Sequence, residues 1–419
     1  MKQIYAVLFL LLVLAVSPVQ ATPAIVTLTV NSTLDQIDDD TSDGVCHTAS
    51  GTCTLRAAIM QANHTTGEGT DIILPAGLYN LTRPISGLDG PDNGDLNLTT
   101  PNSGNPVINI IGAGAANTII DGQGIDRVIF VDTGRTASIS GVTIRNGFRA
   151  TSDGGGIRNY GTLNVSYSTI SDNKARWGAG IANFEGILDV SYSTISGNIS
   201  EYHGGGIFNI GTPDTPSLFL TNTTVSQNSA SGTGGGIVNN MGLVNIYNST
   251  IALNTADADH DNNGEAGGIY TYGGGVFNVR NTLIALNIGQ HPLFYEDCNG
   301  TINSYGRNLI GDTYGCTINT VIGDWGYFTP LGSLGPLQDN GGPTLTHALL
   351  PGSSAIDAGD PLQGCVDAHS VVIDTDQRGL PRSVDGDNDG SAWCDIGAFE
   401  YDPTVEPVFQ QIYLPLMRR

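Results

Sequence analysis

Gly155-Gly156-Ile157-Arg158-Asn159, Leu163-Asn164-Val165 and Ser168-Thr169-Ile170-Ser171-Asp172-Asn173 make up a unit that recurs along the chain and decides its fold. The next copy carries Ile181, Asn183, Leu188, Val190, Ile195 and Asn198. Then come Ile207, Asn209, Leu218, Leu220, Val225 and Asn228, followed by Ile237, Asn239, Val244, Ile246, Ile251 and Asn254. A looser fifth copy has Ile269, Phe277, Val279, Ile284 and Asn287. The spacing of the leading isoleucines grows from 24 (157 to 181) to 26 (181 to 207), 30 (207 to 237) and 32 (237 to 269). The interval from the valine position to the following Ser-Thr-Ile position nevertheless stays at five residues, from 165–170 through 279–284. Length therefore varies only in loops.

Each unit holds three short strands of alternating pattern, too small to bury their apolar side chains alone, separated by turns marked with Gly and Asn. Stacked as coils, the units place equivalent residues about 4.8 Å apart and line up the inward Ile, Leu and Val in columns. Three asparagine columns imply three corners: Asn159, Asn183, Asn209, Asn239; Asn173, Asn198, Asn228, Asn254, Asn287; and Asn222, Asn248, Asn281, with Tyr167 and Tyr192 in the first two coils of the last. Asn tolerates turn conformations, and its amide can bond to the copies above and below. The expected fold is all-β: a right-handed, three-faced parallel β-helix solenoid with a small N-terminal cap and a small C-terminal module. A leucine-rich repeat lacks its Leu-x-x-Leu-x-Leu frame here. The repeat resembles the pectin-lyase-like right-handed parallel β-helix proteins, with Asn117–Gly124 and Ile139–Ile144 as earlier coils.

The expected organisation is a signal peptide at 1–21, a cap at 22–99, the β-helix at 100–330, a C-terminal module at 331–401, and a linker and tail at 402–419. Met1-Lys2, the apolar run Ile4–Val16 and the small-residue stretch to Ala21 have the order of a secretory signal, and no later run reaches the ~20 apolar residues of a membrane span. Secretion or cell-surface display follows. A formal net charge of -24 repels phosphate backbones, which excludes nucleic acid. Only 13% of residues are charged, so the polar surface is built from Asn, Ser, Thr and backbone, a repeat-protein composition. Six cysteines fall as three local pairs, Cys46 with Cys53, Cys298 with Cys316, and Cys365 with Cys394, and an exported chain can oxidise them.

Asp43-Gly44-Val45-Cys46 with Cys53-Thr54-Leu55-Arg56-Ala57-Ala58-Ile59 resembles the CSLREA N-terminal domain of exported bacterial repeat proteins, departing at Ala57 where the family has Glu. Thr54–Asn63 reads as an amphipathic helix, with Leu55, Ile59 and Ala62 on the side that plugs the solenoid. Asp339-Asn340-Gly341-Gly342-Pro343, Ala355-Ile356-Asp357, Asp376-Gln377-Arg378-Gly379 and Cys394-Asp395-Ile396-Gly397-Ala398-Phe399-Glu400 resemble the choice-of-anchor Q domain, which implies a module ahead of an anchoring signal.

Trp177 and Tyr202 each follow an equivalent isoleucine by seven residues, so adjacent coils are expected to set them side by side as a sugar-stacking platform, flanked by Arg176 and Glu201. Asp385, Asp387 and Asp389 match the first half of a calcium loop, with Asp395 substituting for its closing Glu, so Ca2+ is the one cofactor expected. Arg145, Arg149, Arg158 and Arg176 are the repeat-region candidates for a lyase base, and none recurs beside a paired carboxylate. Tyr202-His203-Gly204 is a fragment of a hydrolase motif, and Asp257, Asp259, His260, Asp261 and Glu265 form an acidic loop. The reading is a binding, adhesive or structural module, taken as a monomer, acting on extracellular or cell-wall glycans. A polysaccharide lyase or glycoside hydrolase of the same fold is the alternative.

Overall fold

The computed structural model describes residues 25–65, 69–85, 90–100, 106–213, 215–289, 297–320, 334–361 and 364–405. The expected signal segment and the tail from Ile412 lie outside them. Each coil contributes three strands, as in Ile157–Asn159, Thr162–Ser166 and Thr169–Ser171, which we term the first, second and third faces. All three faces are parallel sheets running along the solenoid.

The register follows the sequence repeat without slippage. On the first face Ile157 pairs with Ile181, then Ile207, Ile237 and Ile269 in turn. On the second, Val165 leads to Val190, Leu220, Ile246 and Val279. On the third, Ile170 leads to Ile195, Val225, Ile251 and Ile284. These side chains are buried in one continuous apolar core, because a one-residue slip would turn every one of them to solvent.

The sheets extend further toward the N terminus than residue 100. Val26–Thr29 pairs parallel with Thr70–Leu74, which pairs with Ile108–Gly112, while Gly77–Asn80 and Leu96–Leu98 join the third and first faces. Part of the stretch expected as a cap is thus solenoid. Its strands escape the repeat pattern because a long excursion, containing the helix Leu55–His64, separates them. Thr54 caps that helix through the Ala57 N–H at 3.2 Å, and Leu55, Ile59 and Ala62 join the solenoid core.

The three asparagine columns do different work. Asn173, Asn198, Asn228, Asn254 and Asn287 are buried, and each donates Nδ2 to the next Oδ1 at 2.8–3.0 Å, ending on Asp297. Asn159, Asn183, Asn209 and Asn239 form a second ladder at 2.7–3.0 Å. Neither column occupies the left-handed region; in the longer one it is the preceding residue that does, as at Asp172 (φ 56) and Gln227 (φ 58). The turn-conformation reading holds for the third column alone, where Asn222, Asn248 and Asn281 have φ of 45–48 and Tyr167 and Tyr192 of 49 and 50.

That third column faces the C-terminal module. The module opens with an antiparallel hairpin, Leu334–Gln338 with Thr346–Leu349, and lies along the flank of the solenoid. Asn222 donates to Thr375 O at 2.8 Å and Asn248 to Val366 O at 2.6 Å. Outward threonines and serines of the third face complete the docking: Thr194 to Leu345 O, Thr224 to Gln377, and Ser226 to His347, at 2.6–2.8 Å. Burial pushes His347 down to about 4, so the ring is neutral; Nδ1–H donates to Gly335 O and Nε2 accepts from Ser226. The three expected disulfides form, with Cα separations of 5.2, 5.8 and 6.2 Å.

Candidate ligand-binding surface

After the third face the chain adds a fourth strand in four successive coils before returning to the first face. Phe148–Arg149, Lys174–Trp177, Ile199–His203 and Ser229–Ala230 form this parallel side sheet. Ala175 pairs with Ser200 but Trp177 pairs with His203, so a bulge sets two residues, Glu201 and Tyr202, opposite the single Arg176. The expected alignment of Trp177 with Tyr202 is thereby offset by one residue, with His203 opposite Trp177. Arg176 lies over both rings, its guanidinium carbon 4.9 Å from the Trp177 ring centre and 5.0 Å from that of Tyr202. Tyr202 is 47% exposed, and Glu201 is exposed beside it.

Trp177 stacks in turn on Phe208, with centroids 5.4 Å apart. The row continues through Phe184 (6.0 Å), Tyr160 (5.7 Å) and Phe130 (5.9 Å). Arg158 lies 4.9 Å over Tyr160 and 5.2 Å over Phe184. The sequence reading missed this stripe. Its signal was present in the residues on either side of the repeat asparagine, Arg158 and Tyr160 in one coil, Phe184 in the next and Phe208 in the third, which alternate outward while Ile and Asn point inward.

The arginine candidates also need correction, since partners come from other parts of the fold. Arg145 pairs with Asp121 at 2.8 Å, Arg149 with Asp126 at 2.5 Å and Arg158 with Asp153 at 3.7 Å. Adjacency in sequence hides the first two because each carboxylate belongs to the preceding coil. His203 accepts the Thr233 N–H on Nδ1 at 3.2 Å, and burial lowers its pKa, so it ties one coil to the next as a neutral ring. Asp257 is buried and accepts the Asn262 N–H at 3.1 and 3.2 Å, closing the acidic loop, while Asp259 and Asp261 are exposed. Glu265 accepts from Asn299 at 3.1 Å.

Among solved structures, the crystal structure of pectate lyase Pel9A matches with a TM-score of 0.51 at 15% identity, covering 91% of this chain and 98% of that one. The fold is an all-β parallel β-helix solenoid like that of this structure. No family model matches the sequence, and no curated protein does.

Beside the β-helix, the C-terminal acidic residues divide into two groups. Carboxylate oxygens of Asp357, Asp385 and Asp387 lie within 4.8 Å of one another. Asp385 accepts the Asp389 and Gly390 N–H groups at 3.1 and 3.0 Å, which curls the loop around it. Asp395 is elsewhere: it is buried and accepts the Asp357 N–H at 2.7 Å and the Tyr401 N–H on its other oxygen. Asp357 thus supplies the further carboxylate that the sequence reading gave to Asp395. Asp395 belongs instead to a buried network with Glu400 and Arg382, where burial and the neighbouring Glu400 charge hold its pKa well above the usual range. Burial likewise raises Glu400, against the opposing pull of Arg382.

Proposed function

We propose that the chain is a secreted or cell-surface glycan-binding module, with Tyr202, Trp177 and the arginines beside them as its contact surface, underlain by the buried Phe208. The observation that carries this reading is the Arg176 guanidinium lying over both Trp177 and Tyr202, with Trp177 stacked on Phe208 of the first face. Flat rings stack on the apolar faces of sugars, and a fixed guanidinium adds donors and cation–π attraction. The likeness to a pectate lyase supports a carbohydrate partner, and the surface resemblance of the flanks supports display outside the cell. Lyase or hydrolase activity rests on fold analogy, and the ion-paired state of Arg145, Arg149 and Arg158 favours binding over it.

A glycan and polysaccharide panel on the purified mature chain, followed by calorimetry of the best ligand, tests the proposal. Trp177→Ala with Tyr202→Ala should weaken binding about tenfold or more, roughly 1.4 kcal/mol or above. Unchanged affinity in that variant removes the stripe as the site. Release of unsaturated uronate products by the unaltered chain would replace the binding reading with the lyase one.

We further propose that the Asp385–Gly390 loop takes Ca2+, held by Asp357, Asp385 and Asp387. Three carboxylates gathered this closely repel each other, a repulsion that the backbone N–H groups around Asp357 and Asp385 offset in part and a cation would offset further, and Gly390 at φ 93 makes the sharp turn such loops need. Millimolar Ca2+ should raise the melting temperature relative to chelator, and the gain should vanish in Asp385→Ala with Asp387→Ala. Equal melting in all four samples leaves an acidic turn without a cation.

A further inference from the structure

We propose that the N-terminal loop Asp38–His47 is a second metal site, distinct from the calcium loop, in which Asp38, Asp39 and His47 hold a borderline divalent ion such as Zn2+. One carboxylate oxygen each from Asp38 and Asp39 and a ring nitrogen of His47 lie within 4.8 Å of one another. Small side-chain rotations bring such atoms onto one ion at bonds of about 2.0–2.2 Å.

Clustered acids are common at surfaces, and the argument turns on Asp38. This residue is only 5% exposed. Its Oδ1 accepts the Asp40 N–H at 3.0 Å, while its Oδ2 is buried with no donor among the described residues. A carboxylate oxygen withdrawn from water and left unpaired is costly, and a cation removes that cost. Gln61 is tied to the same loop: its Nε2 donates to Thr41 O at 3.2 Å, and its Oε1 is buried without a donor among the described residues. Both unsatisfied atoms are acceptors, the kind of atom that a cation or its bound water satisfies.

His47 decides the class of ion. Its Nδ1 lies against Asp39, and its Nε2 is 3.0 Å from Asp43. With the ion on the Asp39 side, Nε2–H donates to Asp43, the carboxylate partner that orients a ligating imidazole. Imidazole beside carboxylates suits Zn2+ and disfavours Ca2+ and Mg2+, which take oxygen. The ligands are held in place beforehand, because the Asp39 N–H donates to His47 O at 3.1 Å and Cys46 is bridged to Cys53.

Chelator-stripped mature chain carrying Asp385→Ala and Asp387→Ala, which silence the C-terminal loop, should bind one Zn2+ per molecule in a calorimetric titration. Adding either His47→Ala or Asp38→Asn should weaken that binding at least tenfold, and excess Ca2+ should not displace the ion. No Zn2+ uptake, or equal affinity in the His47→Ala protein, reduces the loop to an ion pair between His47 and its aspartates. The unaltered chain gives an independent reading: Zn2+ should protect His47 from diethyl pyrocarbonate, followed by peptide mass spectrometry, and equal labelling with and without the ion overturns the site.

Discussion

Asn228→Ala should lower the stability of the solenoid by about 3–5 kcal/mol, since each buried polar group left unpaired costs roughly 1–3 kcal/mol. Asn228 is fully buried. It donates Nδ2 to Asn254 Oδ1 and Ile195 O, both at 2.9 Å, and its Oδ1 accepts the Asn198 N–H and Nδ2 at 3.1 and 2.8 Å. Alanine takes the side-chain partner from the buried Asn198 N–H and from the Ile195 carbonyl, and removes one of the two bonds of Asn198 Nδ2, which keeps Ile170 O at 3.0 Å. Asn228→Asp keeps the acceptor but loses the donors and buries a charge, so its deficit should be larger at neutral pH than at acidic pH, where the carboxyl is protonated. Asn278 is the control. It donates to Asn245 at 2.9 Å in an outward ladder on the second face and is half-buried, so water replaces the lost bond and Asn278→Ala should cost under about 1 kcal/mol. Equal losses at Asn228 and Asn278 in urea unfolding would show that burial does not set the value of these ladders.

Arg382→Ala should cost about 3–5 kcal/mol and release the C-terminal module from the solenoid, because removing one partner of a buried ion pair strands the other. The Arg382 guanidinium is buried, lies 3.4 Å from Glu400, and donates to Gly397 O at 2.8 Å and to Asn222 Oδ1 at 2.6 Å. Without it two buried carboxylates, Asp395 and Glu400, have no cation between them. Their folded pKa values already lie above the unfolded ones, so the folded state binds more protons. The deficit should shrink as pH falls from neutral toward about 4, the range where unfolded carboxyls remain ionised. A module that stays docked in limited proteolysis of the variant, or a deficit independent of pH, contradicts this account.

The solenoid could be read from the chain because its cause is periodic. Ile157, Ile181 and Ile207 sit at equal depth in successive coils, and the constant five-residue interval fixes the corner between second and third faces. Function at the surface has no such period. The Tyr202 bulge, the Arg145–Asp121 pair and the docking of Gln377 onto Thr224 depend on which coils become neighbours and where a loop adds one residue. The motif residues Asp376, Arg378, Asp395 and Glu400 could be found by pattern, but their meaning as a buried polar core needed the fold: Asp376 accepts from Arg378 at 2.7 Å, and Glu400 accepts the Asp395 N–H at 2.9 Å.

A bare solenoid behaves as a one-dimensional lattice in which each coil touches only its neighbours, and opening can start anywhere along it. The flank module changes that mechanics. Its anchor points run from Tyr192 O, which accepts from Thr344 at 3.2 Å, through Asn222 and Asn248 to Asn281, whose Oδ1 accepts the Asp360 N–H at 2.9 Å. Separating any one coil in that span also requires peeling away a brace fixed to its neighbours. Tension applied along the axis is consequently shared between two parallel members, as in a splinted rod, and the braced coils yield together instead of unwinding singly.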